Sequence, residues 1–505
     1  MLLVVLTGLL GALAFPPFGL WPLIWVAFVP MLLVEHVLFP RALAGMGLGL
    51  GVMAYLLGFF LPFFDATSSV VVASYLPPTP MRLLAGALAA LALTIIISLV
   101  GRLITRLHEA TNYRWFLLVV PVLWVGLDYW RNAAGLPGGT YGYPAYALYG
   151  EPWLIQPVSI FAVHGLDLLI LLVNWGLAAF LIARLRLRLG RADGSRHHEE
   201  SRALGARRLA AFHWRVGIWP LATAALLLLA WTLASMAMLG TPSHSIRVAA
   251  IQAGPLQDPR ALLASRTTEA TARGARLIVW HEEALWFGPS HPWFSSLTEG
   301  LSAYLVTGYT ASAATQPNQA AVIAPGGRLV ASYAKQHPVT FLGEVPAAGS
   351  SSPVVLVDTT PISPIICYDL DFTDSARQAA RAGARLLATP SADVPGTASL
   401  RHYTLAVFRA VENRAAIVKA DVAYDSTIID PYGRILAKAV SRDPVPATLV
   451  ADVPIASTAP LATAWGDWVG QLCLALAAFF ALLAALTGVA RSVRRRATRQ
   501  PRHDR

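Results

Sequence analysis

The sequence predicts an integral membrane protein that combines a multi-span α-helical membrane domain with one α/β domain. Hydrophobic residues make up 56% of the 505 residues and charged residues only 13%, and the mean hydropathy is +0.55. This composition is too apolar for an ordinary soluble protein and indicates several bilayer-spanning helices. One polar block, from Ser245 to Pro460, interrupts the apolar stretches. The block is long enough to form a domain with its own core.

Eight apolar stretches have about the length of membrane-spanning helices. The first leads through a Phe-Pro-Pro-Phe-Gly turn into another apolar run rather than to a cleavage site, so we interpret it as a helix and not as a signal peptide. We therefore expect seven helices within residues 1–244, an eighth within 461–490 and a basic tail at 491–505. The stretches occupy residues 2–16, 20–35, 43–63, 82–101, 116–133, 157–183, 216–239 and 467–490.

The net charge of +11 is concentrated in two short segments. Residues 184–215 carry nine Arg against three acidic residues, and the tail 491–505 carries seven Arg against Asp504. The block 245–460 is formally neutral, with 17 basic and 17 acidic residues. Because basic flanks of membrane spans stay on the cytoplasmic side, we predict that both termini are cytoplasmic and that the domain at 245–460 is extracytoplasmic. Aromatic or fold signals of nucleic-acid binding are missing, so we expect no nucleic-acid partner.

The polar block alternates strand-like and helical patterns. Turns containing Gly at 325–327 and 430–433 predict two hairpins. The mixture predicts helices packed on sheets that contain both parallel and antiparallel strands. Helical patterns lie at 259–274, 372–382 and 397–414, and strand-like runs at 246–252, 275–280, 303–308, 320–324, 328–335, 353–358, 361–367, 384–389 and 415–421.

Three kinds of reactive side chain follow strands of this domain. Glu282 and Glu283 follow one strand, Lys335 ends a hairpin arm, and Cys367 ends a later apolar run. The other cysteine, Cys473, lies in an apolar stretch, so the domain contains no disulfide partner for Cys367. Reacting groups gather outside strand ends in α/β sheets, and a carboxylate, an ammonium and a thiol can serve as base, oxyanion stabiliser and nucleophile. By spacing alone, a solvated acidic loop, a surface Lys and an inert buried Cys remain alternatives.

The order of motifs resembles the Glu-Lys-Cys enzymes of the nitrilase superfamily and, with apolar spans on both sides, the apolipoprotein N-acyltransferase family within it. That resemblance implies an α-β-β-α sandwich with Glu282, Lys335 and Cys367 as catalytic residues, and Glu344, Tyr368 and Asp369 as supporting residues. The motifs are Trp280-His-Glu-Glu-Ala-Leu285, Tyr333-Ala-Lys-Gln-His337, Gly343-Glu-Val-Pro346, Ile366-Cys-Tyr-Asp369, Arg409-Ala-Val-Glu-Asn-Arg414, Asn318, His402, and in the membrane part Phe15-Pro-Pro-Phe-Gly-Leu-Trp21 and Leu123-Trp-Val-Gly-Leu-Asp-Tyr-Trp-Arg131.

The chain departs from the family pattern around this set. Glu282 and Glu283 stand where the family has one Glu, which leaves both open as the base although the alignment favours Glu282. Asp369 replaces a Glu, and Leu342 is an insertion. The loops at 391–395 and 420–425 lack the usual Asn-Asp-x-Trp-Phe-Gly sequence and an Asn-containing turn, and a membrane Gly-Phe-Pro-Trp motif appears only as Gly135-Leu-Pro-Gly-Gly139.

The resemblance implies an acyl transfer from a membrane phospholipid, through a thioester on Cys367, to the α-amino group of the diacylglyceryl-cysteine of a lipoprotein. It further implies a monomer in the bacterial inner membrane. We expect no cofactor and no metal, because no ligand set has suitable spacing and the pair His197-His198 lies in the basic loop. A membrane-anchored amidase or hydrolase, or an acyltransferase with another amine acceptor, is the alternative that the altered loops favour. A non-catalytic lipoprotein-binding relative is a third.

Overall fold

The structure of the chain is a computed structural model. It describes residues 1–60, 79–136, 138–192, 214–240, 244–256, 258–285, 287–309, 317–340, 343–347, 352–393, 399–441 and 443–497. Several features predicted from the sequence therefore lie outside the described residues. They are the end of the third span at 61–63, most of the basic loop 184–215, the inserted Leu342, positions 394–395 and the last part of the tail at 498–505.

The apolar stretches fold into helices, as their composition predicts. The helices of the N-terminal part are α1 (Leu2–Ala14), α2 (Val29–Leu33), α3 (Met46–Phe60), α4 (Thr79–Ala110), α5 (Phe116–Ala133), α6 (Pro152–Ile155), α7 (Val158–Ala192) and α8 (Trp214–Ala237). The second predicted span is not one continuous α-helix, because a 3-10 turn precedes α2 and a π turn follows it. A proline at the start of each of the first two pieces removes a helical N–H donor, which accounts for the break.

Five helical segments in the described part of the chain are long and apolar enough to cross a membrane. Shorter apolar helices at Leu2–Ala14 and Met46–Phe60 accompany them. The eight-span arrangement remains a prediction, because length and composition do not fix how each short helix lies in the bilayer. The five segments are Trp21–Leu38, Gly86–Ala110, Val158–Leu185, Ile218–Ala237 and Trp468–Leu486.

The polar block forms two mixed sheets of six strands each among the described residues. The first sheet has the order β12-β1-β2-β3-β4-β5 and the second the order β11-β10-β9-β8-β7-β6. Parallel pairs join β1 to β2, β2 to β3, β7 to β8 and β8 to β9, and the outer pairs are antiparallel. The strands are β1 (His244–Gln252), β2 (Leu277–Trp280), β3 (Tyr304–Tyr309), β4 (Gln319–Ile323), β5 (Leu329–Ala334), β6 (Val355–Val357), β7 (Thr360–Pro364), β8 (Leu386–Ser391), β9 (Ala416–Asp421), β10 (Asp425–Ile429), β11 (Ile435–Val440) and β12 (Ala447–Ile455).

The two sheets pack face to face and are covered by helices, which confirms the predicted α-β-β-α sandwich. Val248 of the first sheet and Val418 of the second belong to one buried apolar cluster between the sheets. Helices α9 (Arg260–Ala272) and α10 (Pro292–Thr298) cover the outer face of the first sheet through a second cluster that includes Trp280. Helices α11 (Thr373–Arg381) and α12 (Ser399–Asn413) cover the second sheet.

Helix α12 also packs on the membrane helices, so the sandwich and the helical part share a core. Phe408 of α12 contacts Tyr146 edge to face, with 4.9 Å between ring centroids. Helix α7 is interrupted at Ala162, which has φ +54, and Glu412 of α12 accepts a hydrogen bond from the Val163 N–H at 2.8 Å. Helices α13 (Leu461–Trp465) and α14 (Trp468–Ala497) then lead the chain back along α5.

Candidate active site

Glu282 lies in the turn that follows β2 and is almost completely buried, with 3% of its surface exposed. The turn is held against two neighbours, because the Glu282 N–H donates to Ser391 at 3.2 Å and the Gly308 N–H donates to His281 at 3.3 Å. A Cβ on Gly308 would lie 2.7 Å from the Glu282 Cα. Only glycine at this position allows β3 to approach the turn so closely. Glu283, by contrast, is exposed and has φ +50.

Lys335 directly follows β5 and is buried between two carboxylates. Its Nζ lies 2.8 Å from Glu282 Oε1 and 2.8 Å from Glu344 Oε1. Glu344 is itself oriented, because its second oxygen accepts the Val339 N–H at 2.7 Å. Burial alone would lower the pKa of Lys335, but Glu282, Cys367 and Glu344 raise it well above its usual range. The side chain is therefore a permanent ammonium inside the site.

Asn318 is a second donor to the same carboxylate. Its side-chain amide donates to Glu282 Oε1, the oxygen that Lys335 also contacts, and its backbone carbonyl accepts the Lys335 N–H at 2.9 Å. Asn318 is only 4% exposed. The sequence indicated this residue through the family resemblance alone, and the structure gives it two contacts to predicted site residues.

Cys367 opens a 3-10 turn rather than ending a strand, since β7 ends three residues earlier at Pro364. Its φ is +41, a left-handed conformation that is uncommon for residues other than glycine. The following turn is fixed by Asp369, which accepts the Ile366 N–H at 2.9 Å and the His337 N–H at 2.9 Å. The Tyr333 hydroxyl donates to Asp369 as well, at 2.7 Å. Asp369 thus ties the cysteine turn to the segment that carries Lys335.

The Glu282 carboxylate lies near the Cys367 thiol, whose hydrogen bonds go to the Ala392 carbonyl at 3.8 Å and to Asp393 Oδ1 at 3.9 Å. Burial and the nearby Glu282 carboxylate raise the pKa of Cys367 well above its usual range. Burial also raises the pKa of Glu282 to about 7, against the opposing effect of Lys335. The resting thiol is therefore protonated, and beside it lies a carboxylate whose proton affinity suits a general base near neutral pH. The arrangement brings the three predicted catalytic residues together.

A network of buried charges flanks the thiol at the end of β8. Asp393 Oδ1 lies 3.9 Å from Cys367 Sγ and is paired with His402 at 2.5 Å, and Asp393 Oδ2 is paired with Lys419 at 2.7 Å. His402 also contacts Asp371 at 3.0 Å. The sequence did not lead us to predict Asp393 or Lys419 as site residues. A Lys within the apolar strand 415–421 was nevertheless a detectable signal, because buried Lys residues are rare unless they are paired.

The ligand-type atoms of Cys367, Asp393 and His402 lie within 4.8 Å of one another, so these side chains are the group within the described residues that could hold a metal ion. The close contact between His402 and Asp393 is that of an ion pair, and Lys419 occupies the other Asp393 oxygen. A metal ion would need an Asp393 oxygen as a direct ligand in place of one of these partners. The residues therefore fit a charge network better than a resident metal site.

The cysteine turn also contacts the loop between α5 and α6. The Tyr368 hydroxyl accepts the Gly138 N–H at 2.8 Å, and the Asp371 carbonyl accepts the Thr140 N–H at 2.9 Å and its hydroxyl at 2.8 Å. Arg409 of α12 continues this contact, since it donates to Thr140 at 3.0 Å and to the Leu370 carbonyl at 3.0 Å. The helical part of the protein thereby supports the turn that carries the thiol.

Comparison with known proteins gives matches over both parts of the chain. Residues 7–176 match the apolipoprotein N-acyltransferase N-terminal domain, and residues 247–463 match the carbon-nitrogen hydrolase family. The chain is 29% identical to an apolipoprotein N-acyltransferase of Geobacter metallireducens, over 96% of this chain and 95% of that protein. It is 28% identical to one of Gloeobacter violaceus, over 92% and 90%. The solved structure of an amidase from Nesterenkonia sp. is 24% identical, covering 43% of this chain and 93% of that one, with a TM-score of 0.37.

Proposed function

We propose that this chain, which belongs to the apolipoprotein N-acyltransferase family, transfers an acyl group from a membrane phospholipid to the α-amino group of a diacylated lipoprotein. Its nitrilase-like sandwich supplies the chemistry, and its apolar helices hold the site at a membrane. Glu282, Lys335 and Cys367 are the proposed catalytic residues. Glu344, Tyr368 and Asp369 are proposed as positioning residues, through the contacts that each makes to Lys335 or to the cysteine turn.

In the first step, Glu282 takes the proton of the Cys367 thiol while the sulfur attacks the ester carbonyl carbon of the phospholipid. The raised pKa of both groups means that the thiolate forms only as the carboxylate accepts the proton. The Lys335 ammonium stabilises the negative charge on the carbonyl oxygen of the tetrahedral intermediate. Glu282 then returns the proton to the leaving glycerol oxygen, which releases a lysophospholipid and leaves an acyl thioester.

In the second step, the acceptor amine attacks the thioester carbon. A C–N bond forms and the C–S bond breaks, Glu282 accepts a proton from the nitrogen, and Cys367 regains its proton. A thioester reacts readily with amines but also with water, so the deeply buried position of Cys367, which is 8% exposed, favours transfer over hydrolysis.

The observation that carries this proposal is the contact between the cysteine turn and the loop joining α5 to α6. A free-standing hydrolase needs no such contact, whereas an enzyme whose two substrates both carry acyl chains must present its nucleophile where apolar helices end. The hydrogen bonds from Gly138 and Thr140 to the turn place the thiol beside that loop. We also propose that the sandwich is extracytoplasmic and that both termini are cytoplasmic, on the basis of the basic flanking segments.

The test is to incubate the purified full-length protein with a phospholipid of defined acyl chains and to measure its intact mass. We expect an added mass of one acyl chain that hydroxylamine removes and that is absent in Cys367→Ala. Cys473→Ala is the matched control, because Cys473 lies in a predicted membrane helix, and this variant should form the adduct normally. A wild-type protein that forms no adduct from any phospholipid would overturn the proposal.

The same adduct separates the acyltransferase from the hydrolase alternative. When a diacylated lipopeptide is added, the proposed function predicts a triacylated product and loss of the adduct at equal rates. An adduct that decays only to free fatty acid under these conditions would identify a membrane-anchored hydrolase instead.

A further inference from the structure

A second carboxylate, that of Asp393, faces the Cys367 sulfur from the end of β8. Its Oδ1 lies 3.9 Å from Sγ, and the neighbouring backbone carbonyl of Ala392 lies 3.8 Å from Sγ. The Ser391 hydroxyl donates to Asp393 at 3.3 Å. The side chain of Asp393 is buried, whereas Ala392 is exposed. The sulfur therefore has two hydrogen-bond acceptors beside it that the acylation step does not use.

Two cations keep Asp393 ionised. His402 and Lys419 pair with its two oxygens, and the Asp393 N–H is itself held by Asp421 at 2.7 Å. Burial alone would raise the pKa of Asp393, but His402 and Lys419 hold it well below its usual range. The environments of Asp393 and Glu282 thus push their proton affinities in opposite directions, which is the pattern of two carboxylates with different tasks.

A permanent anion at this position opposes formation of the thiolate, because two negative charges would lie 3.9 Å apart. The anion is thus unfavourable for acylation. Its position becomes favourable once the thioester has formed, because the sulfur is then neutral and the next group to arrive is a cation. An α-amino group has a pKa of about 8, so it is largely protonated at neutral pH.

We propose that the Asp393 carboxylate and the Ala392 carbonyl form the receiving site for the α-ammonium group of the acceptor. This inference rests on the proposed function and adds to it the group that recognises the second substrate. The attacking nitrogen and the sulfur are bonded to the same carbon in the tetrahedral intermediate. The nitrogen therefore lies next to the sulfur, and we place it on the side of the sulfur where the Ala392 carbonyl and Asp393 Oδ1 lie, at 3.8 and 3.9 Å from Sγ.

The protons balance without a further reactant. The ammonium arrives with three protons, held towards Asp393 and Ala392, and gives one to the ionised Glu282 before the nitrogen attacks. The C–N bond then forms as the C–S bond breaks. Glu282 releases this first proton to solvent, then accepts a second proton from the attacking nitrogen and delivers it to the Cys367 sulfur. The third proton stays on the amide. Asp393 remains ionised throughout and acts as a charge and not as a base.

Asp393→Asn tests the proposal with two acceptors offered to the acyl-enzyme. One is a diacylated lipopeptide, whose amine is cationic, and the other is hydroxylamine, which is neutral at pH 7. Removing a hydrogen bond to a charged group should slow transfer to the lipopeptide by about 10- to 100-fold. Thioester formation should be unchanged or faster, and release by hydroxylamine should be unchanged. Asp358→Asn, which alters an exposed carboxylate paired with Arg276, is the matched control.

If Asp393→Asn slows transfer to the lipopeptide and to hydroxylamine equally, or slows neither, the inference is overturned while the proposed function stays intact. Failure of the wild-type protein to form a thioester would instead overturn the proposed function. If Asp393→Asn does not fold well enough to be acylated, the affinity of Cys367→Ala for two lipopeptides tests the same inference.

Cys367→Ala should bind the lipopeptide with a free amine about tenfold more tightly than its N-acetylated form. The double variant Cys367→Ala/Asp393→Glu keeps the negative charge and should retain the preference for the free amine. Equal binding of both peptides to Cys367→Ala would contradict the inference.

Discussion

The side-chain amide of Asn318 donates to the Glu282 oxygen that Lys335 also contacts. A hydrogen bond to the charged form of a carboxylate lowers its pKa, and burial acts in the opposite direction. The proton affinity of Glu282 is therefore the result of a balance between burial on one side and these two donors on the other. This balance leads to the first prediction.

Replacing Asn318 by Ala should raise the pKa of Glu282 further above its normal range. In the wild-type protein, thioester formation should decline as the pH falls through about 7, because protonated Glu282 is not a base. In Asn318→Ala this acid limb should move to higher pH by roughly one unit, so that the rate at pH 6 falls about tenfold while the rate at high pH changes little. Single-turnover acylation measured from pH 5 to 9 gives the profile. Gln378→Ala removes an exposed amide on α11 and should leave the pH profile unchanged. An unshifted profile in Asn318→Ala would show that the contact between Asn318 and Glu282 does not set the pKa of Glu282.

Glu282 and Glu283 make a matched pair, since they are adjacent and chemically identical. Glu282 is buried against Lys335 and raises the pKa of the nearby Cys367, whereas Glu283 is exposed. Glu282→Gln should lower the rate of thioester formation by about 100-fold or more, because it removes the base. Glu283→Gln should retain the wild-type rate within about twofold. Measured acylation rates that fall equally in both variants would contradict this assignment.

A substitution at Gly308 tests whether β3 must lie close to the turn that carries Glu282. A Cβ there would lie 2.7 Å from the Glu282 Cα and 2.9 Å from the Glu283 nitrogen, and backbone atoms cannot move aside cheaply. Gly308→Ala should therefore displace the turn and reduce acylation at least about tenfold, since small misplacements of reacting groups are costly. Gly300→Ala is the control, because a Cβ at Gly300 meets no atom within 4 Å. If both variants acylate at the wild-type rate, the close approach is not important for the base.

A substitution at Arg409 tests whether its contacts hold the sandwich to the helical part of the protein. It is completely buried and pairs with Glu412, and it also donates to Thr140 and to the Leu370 carbonyl. Arg409→Met leaves Glu412 as a buried charge without its partner, which costs about 3–5 kcal/mol. We expect a lower apparent Tm in detergent and slower acylation. Arg247→Met removes an exposed arginine paired with Asp452 and should leave the Tm unchanged. A wild-type Tm for Arg409→Met would show that the two parts are held together without this contact.

Local patterns account for the features that the sequence predicted correctly. Strands such as β8 and β9 and helices such as α12 follow from the periodicity of their own residues, and the hairpin at Asp430–Gly433 follows from its turn residues. The interrupted second span was not predicted, because a hydropathy window averages over the prolines that break it.

The sequence by itself determined that the chain is a membrane protein with an α/β domain, and it placed Glu282, Lys335 and Cys367 in the order of a known family. Composition and short motifs are local properties, so they can be read directly from the chain. The tertiary structure decided that Glu282 and not Glu283 is buried and in contact with Lys335, and that Asp393, paired with His402 and Lys419, lies 3.9 Å from the thiol. These contacts join residues that are far apart in the chain, and burial sets their charges, so only the packing of the two sheets on the membrane helices could determine them.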